Sequence, residues 1–340
     1  MSLQKFFTKY IPLIEAEMRL HLPLPAGTLR AYYGMLHYHL GWADEHFEPA
    51  HSPAGKRVRP VLCLLACESA GGAFKAALPA AAAIELLHNF SLIHDDIEDN
   101  SPTRRGRTTV WKLWNLPQAI NAGDGLFTIA HRALERLTPD GVDYGRALRA
   151  LRVQVLFNQT CLALTHGQHL DIDFETRPSV TVDEYMGMIG DKTAALTGAS
   201  TAIGALVGGV EPGERLTDYQ GFGRELGLAF QIQDDILGIW GDEAVTGKST
   251  ASDLVMRKKT LPVLYGLEQA PALRQLYAAP TMDVAETLRL LETAGAREFA
   301  QSRAEEHHRL ALEALERSGA SGEAGAALRE LALSLLNRAA

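Results

Sequence analysis

An all-α, single-domain fold is what this sequence predicts, and three observations predict it. Apolar residues recur at helical spacing through almost the whole chain. No segment of any length shows the strict alternation or β-branched clustering of a strand. Breaks fall at proline and glycine clusters too short to serve as interdomain linkers. At 340 residues the length allows two average domains. Because nothing divides the chain, one domain over residues 1–340 is expected.

Taken in order, helices are expected over residues 57–70, 76–98, 118–137, 145–173, 182–208, 215–240 and 252–267, with three more segments after 283. The punctuation fits each boundary: Pro49 to Pro53 before the first, Gly71-Gly72 after it, Pro102 to Gly106 after the second and Pro139 to Gly141 after the third. Further along come Gly208 to Gly213, Gly241 to Gly247 and Ser318 to Gly322. No short repeat recurs, which disfavours a helical solenoid.

Composition narrows the function. With 46% hydrophobic and 22% charged residues the chain falls in the ordinary globular range. A formal net charge of -8 argues against a general nucleic-acid binder, which needs a basic footprint. Basic residues concentrate instead in GKRVRP, TRRGR and MRKKT, short segments suited to an anion site. Cys63 and Cys67 stand one helical turn apart in an apolar run, and Cys161 is solitary. Core thiols in a reducing compartment are the better reading. The N-terminal stretch carries acids within its apolar residues and lacks a cleavage pattern, so it is no secretory signal. The alanine-rich run near 76–87 contains Glu85 and is too short and polar to span a bilayer. A cytoplasmic protein without a membrane anchor is expected.

Chemistry is carried by two aspartate clusters. In DDIED, Asp99 follows Asp95 by four residues and Asp96 by three, which crowds carboxylates on one helix face. A cation relieves that repulsion, and oxygen donors without imidazole or thiolate favour magnesium, which keeps waters and recruits phosphate oxygens. Asp234 and Asp235 end a second long apolar helix in a similar setting, so the two helices could face each other across a cavity. Arg104 and Arg105 follow DDIED in a turn from which guanidinium forks can hold phosphate. Lys56, Arg57 and Arg59 precede a helix start that adds backbone donors, while Lys248 and Lys258-Lys259 follow the second pair.

These residues carry a resemblance. GKRVRP, LHNFSLIHDDIEDNSPTRRGR, GDGLF, GQHLDID, GDKTAAL, FQIQDD and GK followed by DLVMRKKTLP resemble, in order and approximate spacing, the trans-isoprenyl diphosphate synthases, or polyprenyl synthetases. The resemblance runs from about residue 55 to 265 and extends toward both ends. It implies a helical bundle around a deep central cavity, a prenyltransferase of isoprenoid biosynthesis, and two substrates: isopentenyl diphosphate and an allylic diphosphate. It further implies two magnesium ions on Asp95, Asp96 and Asp99 with Asp171 assisting, and a third on Asp234 with Asp235 in support. Arg104, Lys192, Lys248 and Lys258 match holders of the allylic diphosphate. Lys56, Arg59, His88 and Arg105 match those of isopentenyl diphosphate. Thr193 and Gln231 match positions facing the reacting carbons, and a homodimer is implied as well. His94, just before the aspartates, is read as a supporting hydrogen-bonding residue.

One departure is visible. The family's second motif commonly reads DDxxD, and here it reads DDILG, with Gly238 last and Asp242 one turn beyond as a partial substitute. The floor of the product cavity is expected at Leu87, Phe90 and Ser91, one to two turns before DDIED. A single aromatic there resembles synthases making twenty-carbon geranylgeranyl diphosphate, with farnesyl or longer products as the alternative. A terpene cyclase would share the bundle and DDxxD without needing Lys56, Arg59 and Arg105. A histidine-aspartate phosphohydrolase would want further histidine ligands, and a non-catalytic subunit of a mixed synthase would not need the intact aspartates and lysines.

Overall fold

Helix starts follow local chemistry. Proline occupies the first turn of the helices beginning at Leu78, Leu116 and Leu261, where its missing N–H costs nothing. Thr181 and Glu184 form a reciprocal capping box. The computed structural model describes residues 2–53, 55–138, 141, 143–241, 251–279 and 281–336. Its helices are α1 Leu3–His21, α2 Arg30–His39, α3 Val58–Ser69, α4 Leu78–Glu98, α5 Val110–Trp114, α6 Leu116–Leu134, α7 Tyr144–Thr176 and α8 Val182–Ile189. They continue as α9 Ala195–Val207, α10 Glu214–Trp240, α11 Ser252–Val255, α12 Leu261–Gln269, α13 Pro271–Ala278, α14 Val284–Thr293, α15 Ala296–Arg317 and α16 Gly322–Leu336. The all-α expectation holds.

Three details differ from the expectation. The N-terminal region forms α1, whose buried Phe6, Tyr10, Ile14 and Met18 recur every four residues, and α2 follows it. The expected helix 182–208 is interrupted by a π-turn at Gly190–Ala194. The expected helix 252–267 is two helices, because Arg257 takes a left-handed φ of 54°, Thr260 is extended, and Pro262 has no N–H with which to continue a helix from the preceding turn.

The chain forms two compact units interleaved along the sequence. Unit 1 comprises 1–157, 200–211 and 321–327. Within it, α4 packs along α6 and is flanked by α1 and α3. Ala80 to Ala83 on α4 and Ala119, Ala122 and Ala130 on α6 are fully buried, so small side chains let these two helices approach closely. Among the described residues, Phe74–Glu98 alone is long and apolar enough to cross a membrane, yet 67% of its apolar window is buried inside the protein. It is a core helix.

Unit 2 comprises 158–199, 212–320 and 328–340. There α10 packs along α15, whose Ala300, Ala304 and Ala311 are fully buried. Tyr185, Met188, Ile189, Leu228, Ile232, Ile236, Leu261 and Leu264 form a core cluster around the carboxylate-bearing end of α10. Each such aliphatic side chain contributes roughly 1.5–3 kcal/mol by leaving water.

Candidate active site

In unit 1, α4 delivers the first aspartate cluster. Asp99 is exposed and Asp95 half-buried, whereas Asp96 is buried and its Oδ1 accepts from Arg104 Nε at 2.7 Å. Burial raises the Asp96 carboxyl, and the Arg104 guanidinium works against that rise. Arg104 is aimed by a small hairpin that pairs Thr103 with Thr108 and Arg104 with Arg107. Arg105 and Gly106 at its tip take left-handed φ values of 52° and 76°, as a type I′ turn requires. Arg107 fastens the hairpin by donating to the carbonyls of Tyr38 at 2.8 Å and Ala43 at 2.9 Å.

The GKRVRP segment is held by its middle arginine. Arg57 is left-handed at φ 51° and only 4% exposed. Its Nε donates to Glu15 Oε1 at 2.9 Å, and its second terminal nitrogen lies 2.7 Å from the same oxygen. The first terminal nitrogen donates to Glu85 Oε1 at 2.5 Å. Trp42 Nε1 also donates to Glu15, at 2.5 Å, and Asn89 Nδ2 donates to Glu85 at 2.9 Å. This network fixes the backbone that presents exposed Lys56 and half-buried Arg59. His88 Nε2 lies 3.5 Å from Arg59. Burial, reinforced by Arg59, Arg105, Arg104 and Arg57, pushes the His88 imidazole well below its usual range, so it is neutral. His39 is likewise pushed down to about 3, by burial and by Arg104, Arg105, Arg57 and Arg107.

One turn before Asp95, the half-buried Phe90 ring lies 4.9 Å from His94 and 5.0 Å from Phe127 on α6. Phe127 is 4.6 Å from His131. Leu87 is fully buried, and Ser91 Oγ donates to the His88 carbonyl at 2.9 Å. His94 Nε2 lies 3.3 Å from the Ile120 carbonyl oxygen. The sequence reading passed over Phe127, although it lies in the quoted GDGLF segment.

In unit 2, the π-turn Gly190–Ala194 presents Lys192 and Thr193, and two glycines let it fit. A Cβ at Gly167 on α7 would lie 2.6 Å from Lys192 Cα, and one at Gly227 on α10 would lie 2.8 Å from Ala194 Cα. Asp171 and Gln231 each come one turn after these contacts. Lys192 Nζ donates to Asp171 Oδ2. Thr193 Oγ1 donates to Gln231 Oε1 at 3.0 Å, and Gln231 Nε2 donates to Asp235 Oδ1 at 3.1 Å. Asp235 Oδ2 accepts from the Tyr185 hydroxyl and from the Leu261 backbone N–H at 3.2 Å. Burial raises the Asp235 carboxyl to about 7, against the pull of those three donors. Asp234, one residue earlier, is exposed.

Lys258 is exposed, whereas Lys259 donates to the Phe174 and Arg177 carbonyls, the latter at 2.5 Å, and so secures the end of α7. Lys248 and Asp242 lie outside the described residues. The space in front of Gly238 is taken by buried Asp253: a Cβ at 238 would overlap that carboxylate, with Cγ only 2.6 Å away.

The donor set fits magnesium. In each unit by itself the accessible donors are carboxylates, Asp95 and Asp99 in unit 1 and Asp234 in unit 2. Among the described residues no three acidic, histidine or cysteine side chains converge into a ready-made metal cage. Magnesium completes its octahedron with water and substrate phosphate oxygens, so such a sparse protein contribution suits it.

The sequence signature described as polyprenyl synthetase matches residues 41–293. The chain belongs to that family. This synthase is 44% identical over 289 residues to a geranylgeranyl diphosphate synthase of Mycobacterium tuberculosis, covering 83% of this chain and 80% of that protein. It is 39% identical over 314 residues to a (2E,6E)-farnesyl diphosphate synthase of the same organism, covering 89% of this chain and 85% of the relative. Among solved structures, a polyprenyl synthetase from Streptomyces coelicolor A3(2) superposes with a TM-score of 0.89 at 35% identity, covering 98% of this chain and 100% of that one. A geranylgeranyl pyrophosphate synthetase from Pyrococcus horikoshii Ot3 gives 0.86 at 34% identity, with 98% of both chains covered. The protein is a short-chain trans-prenyl diphosphate synthase.

Proposed function

We propose that this synthase, acting as one catalytic domain over residues 1–340, condenses isopentenyl diphosphate with an allylic diphosphate and stops at geranylgeranyl diphosphate. The observation that carries the product length is the Phe90–Phe127 ring pair at 5.0 Å, one turn before Asp95. Small Ser91 beside it leaves more depth than a fifteen-carbon floor needs, and the 44% identical relative carries the geranylgeranyl name. The farnesyl name of another relative keeps the shorter product as the competing outcome.

In this reading Asp95 and Asp99 with Asp171, and Asp234, would hold three magnesium ions, with buried Asp96 and Asp235 supporting them from behind. When bound, magnesium withdraws electron density from the scissile carbon–oxygen bond and neutralises charge on the leaving diphosphate. Arg104, Lys192, Lys258 and Lys248 hold the allylic diphosphate. Lys56, Arg59, Arg105 and neutral His88 hold the diphosphate of isopentenyl diphosphate. The carbon–oxygen bond breaks with its electron pair leaving on diphosphate. Gln231 Oε1 and Thr193 Oγ1 turn lone pairs toward the allylic cation. The isopentenyl double bond then attacks that carbon, and the condensed cation loses a proton to the departing diphosphate.

A homodimer in a reducing cytoplasm completes the proposal. The exposed Leu148, Leu151 and Val155 recur along one stripe of α7 in unit 1, an apolar surface that a second copy would cover. Cys63, Cys67 and Cys161 are all buried free thiols, in keeping with such a compartment.

The test incubates purified protein with labelled isopentenyl diphosphate and each of dimethylallyl, geranyl and farnesyl diphosphates, with magnesium or chelator, and separates the dephosphorylated products. A magnesium-dependent ladder ending at twenty carbons supports the reading. An end at fifteen carbons removes the product assignment, and no incorporation under any condition moves a non-catalytic subunit or a cyclase to the front.

A further inference from the structure

The hydrogen bonds around Gln231 have a direction. Thr193 donates to Gln231 Oε1, Gln231 Nε2 donates to Asp235 Oδ1, and Tyr185 and the Leu261 N–H donate to Asp235 Oδ2. Every donor in the chain points toward Asp235. Asp235 accepts at both oxygens, at Oδ2 from Tyr185 and the Leu261 N–H and at Oδ1 from Gln231, whereas a glutamine amide has a donor end and an acceptor end that sterics alone barely distinguish. Asp235 therefore removes the ambiguity. With Nε2 committed to Asp235, the amide oxygen faces Thr193, and the Thr193 proton is used on that oxygen. Lone pairs of both oxygens are left for whatever lies beyond them.

From this geometry we infer that Asp235 and Tyr185 are positioning residues: they set the polarity of the Gln231 amide and, through it, of the Thr193 hydroxyl. The inference rests on the proposed function, in which those two oxygens face a developing allylic cation. An amide turned the other way would present N–H to that cation and repel it. Buried Asp235 lies at the centre of the unit 2 core, with both oxygens already engaged and Tyr185 itself only 4% exposed. Such a carboxylate acts by orientation, in contrast to its exposed neighbour Asp234. Leu261 belongs to the arrangement as well, because its N–H at the start of α12 is an orphan donor that Asp235 satisfies.

The experiment compares Asp235→Asn, Tyr185→Phe and Asp234→Asn in three readouts. In steady-state kinetics, Asp235→Asn, whose side chain can meet a flipped Gln231 amide, lowers kcat on the order of 10²-fold with KM for both diphosphates nearly unchanged. Tyr185→Phe lowers kcat less, in the same pattern. In magnesium titrations, the ion concentration for half-maximal activity stays at the wild-type value in Asp235→Asn and rises in Asp234→Asn. An equal rise in both would make Asp235 a metal ligand and overturn the inference. The third readout is independent of turnover: the side-chain amide of Gln231 in a ¹⁵N-glutamine spectrum, assigned through Gln231→Glu. Its protons are protected from exchange in the wild type and lose protection in Asp235→Asn. If the wild-type protein incorporated no isopentenyl diphosphate, the proposed function would fall, and this spectrum would still decide the amide orientation. Unprotected wild-type amide protons would overturn it.

Discussion

Arg57→Met tests whether a buried ion-pair network builds the isopentenyl diphosphate side of the site. The guanidinium side chain is 2% exposed and joins Glu15, 23% exposed, to Glu85, 4% exposed. Removing it strands the Glu85 carboxylate in the core with Asn89 as its side-chain donor among the described residues, while Glu15 recovers some water and keeps Trp42. Losing one partner of a buried pair costs about 3–5 kcal/mol. With an unfolding entropy of about 2.1 cal/mol/K per residue, a 340-residue chain shifts by about 1.4 °C per kcal/mol, so the melting temperature falls by roughly 4 to 7 °C. Replacing Glu85 by Gln in the same protein keeps the Asn89 contact without a buried charge, so the double variant recovers at least half of the loss. Differential scanning calorimetry reads both. A loss below about 1 kcal/mol for Arg57→Met, or a double variant less stable than the single, refutes the reasoning. Under conditions where the variant remains folded, KM for isopentenyl diphosphate rises more than KM for the allylic substrate, because Lys56 and Arg59 flank the lost anchor.

Acid weakens the fold through its depressed histidines. Where the folded pKa lies below the unfolded 6.5, the native state binds fewer protons, and stability falls as pH drops from 6.5 toward the folded value, about 3 for His39. At about 1.4 kcal/mol per pH unit, His39 costs on the order of 1.4 kcal/mol at pH 5.5, and His88 adds in the same direction. His37 and His308 add in the same direction, and equal urea midpoints at pH 7.5 and 5.5 would contradict the assignment. Phe90→Ala removes the ring facing Phe127 and lengthens the product by one or more five-carbon units; unchanged chromatograms would discard that floor. Leu151→Glu puts a charge into the stripe where Leu151 is 55% exposed; light scattering should report a monomer and far-UV circular dichroism an unchanged helix content.

Most of the helical framework was legible because helices write their period into the sequence. The two aspartate clusters, the paired arginines and the Gln231 spacing were legible as well, since each lies within one or two turns of its partners. What could not be read depends on contacts distant in sequence. Arg57 looked like one more cation in a basic run, and only Glu15 and Glu85 make it a buried anchor. Asp235 reads from the sequence only as a support for Asp234, and what it supports is set by Tyr185, fifty residues away, which donates to one of its oxygens. The π-turn at Gly190–Ala194 was hidden because its residues also suit an ordinary helix, and the deciding feature is the backbone approach at Gly167 and Gly227. The stripe at Phe6, Tyr10, Ile14 and Met18 was available in the sequence and was passed over while the N-terminus was weighed only as a leader.

The carboxylate of Asp253 lying against Gly238 makes the order of mutational steps matter. The family's usual aspartate at 238 is a single substitution away, but the space for its first carbon is already taken, and the occupant is another carboxyl group. Gly238→Asp alone therefore both collides and repels. Asp253→Ala first vacates the volume, after which Gly238→Asp is accommodated and returns the lost charge. Two positions fifteen residues apart thus behave as a single site with one carboxylate to allot, and a library that varies them separately would discard the productive combination.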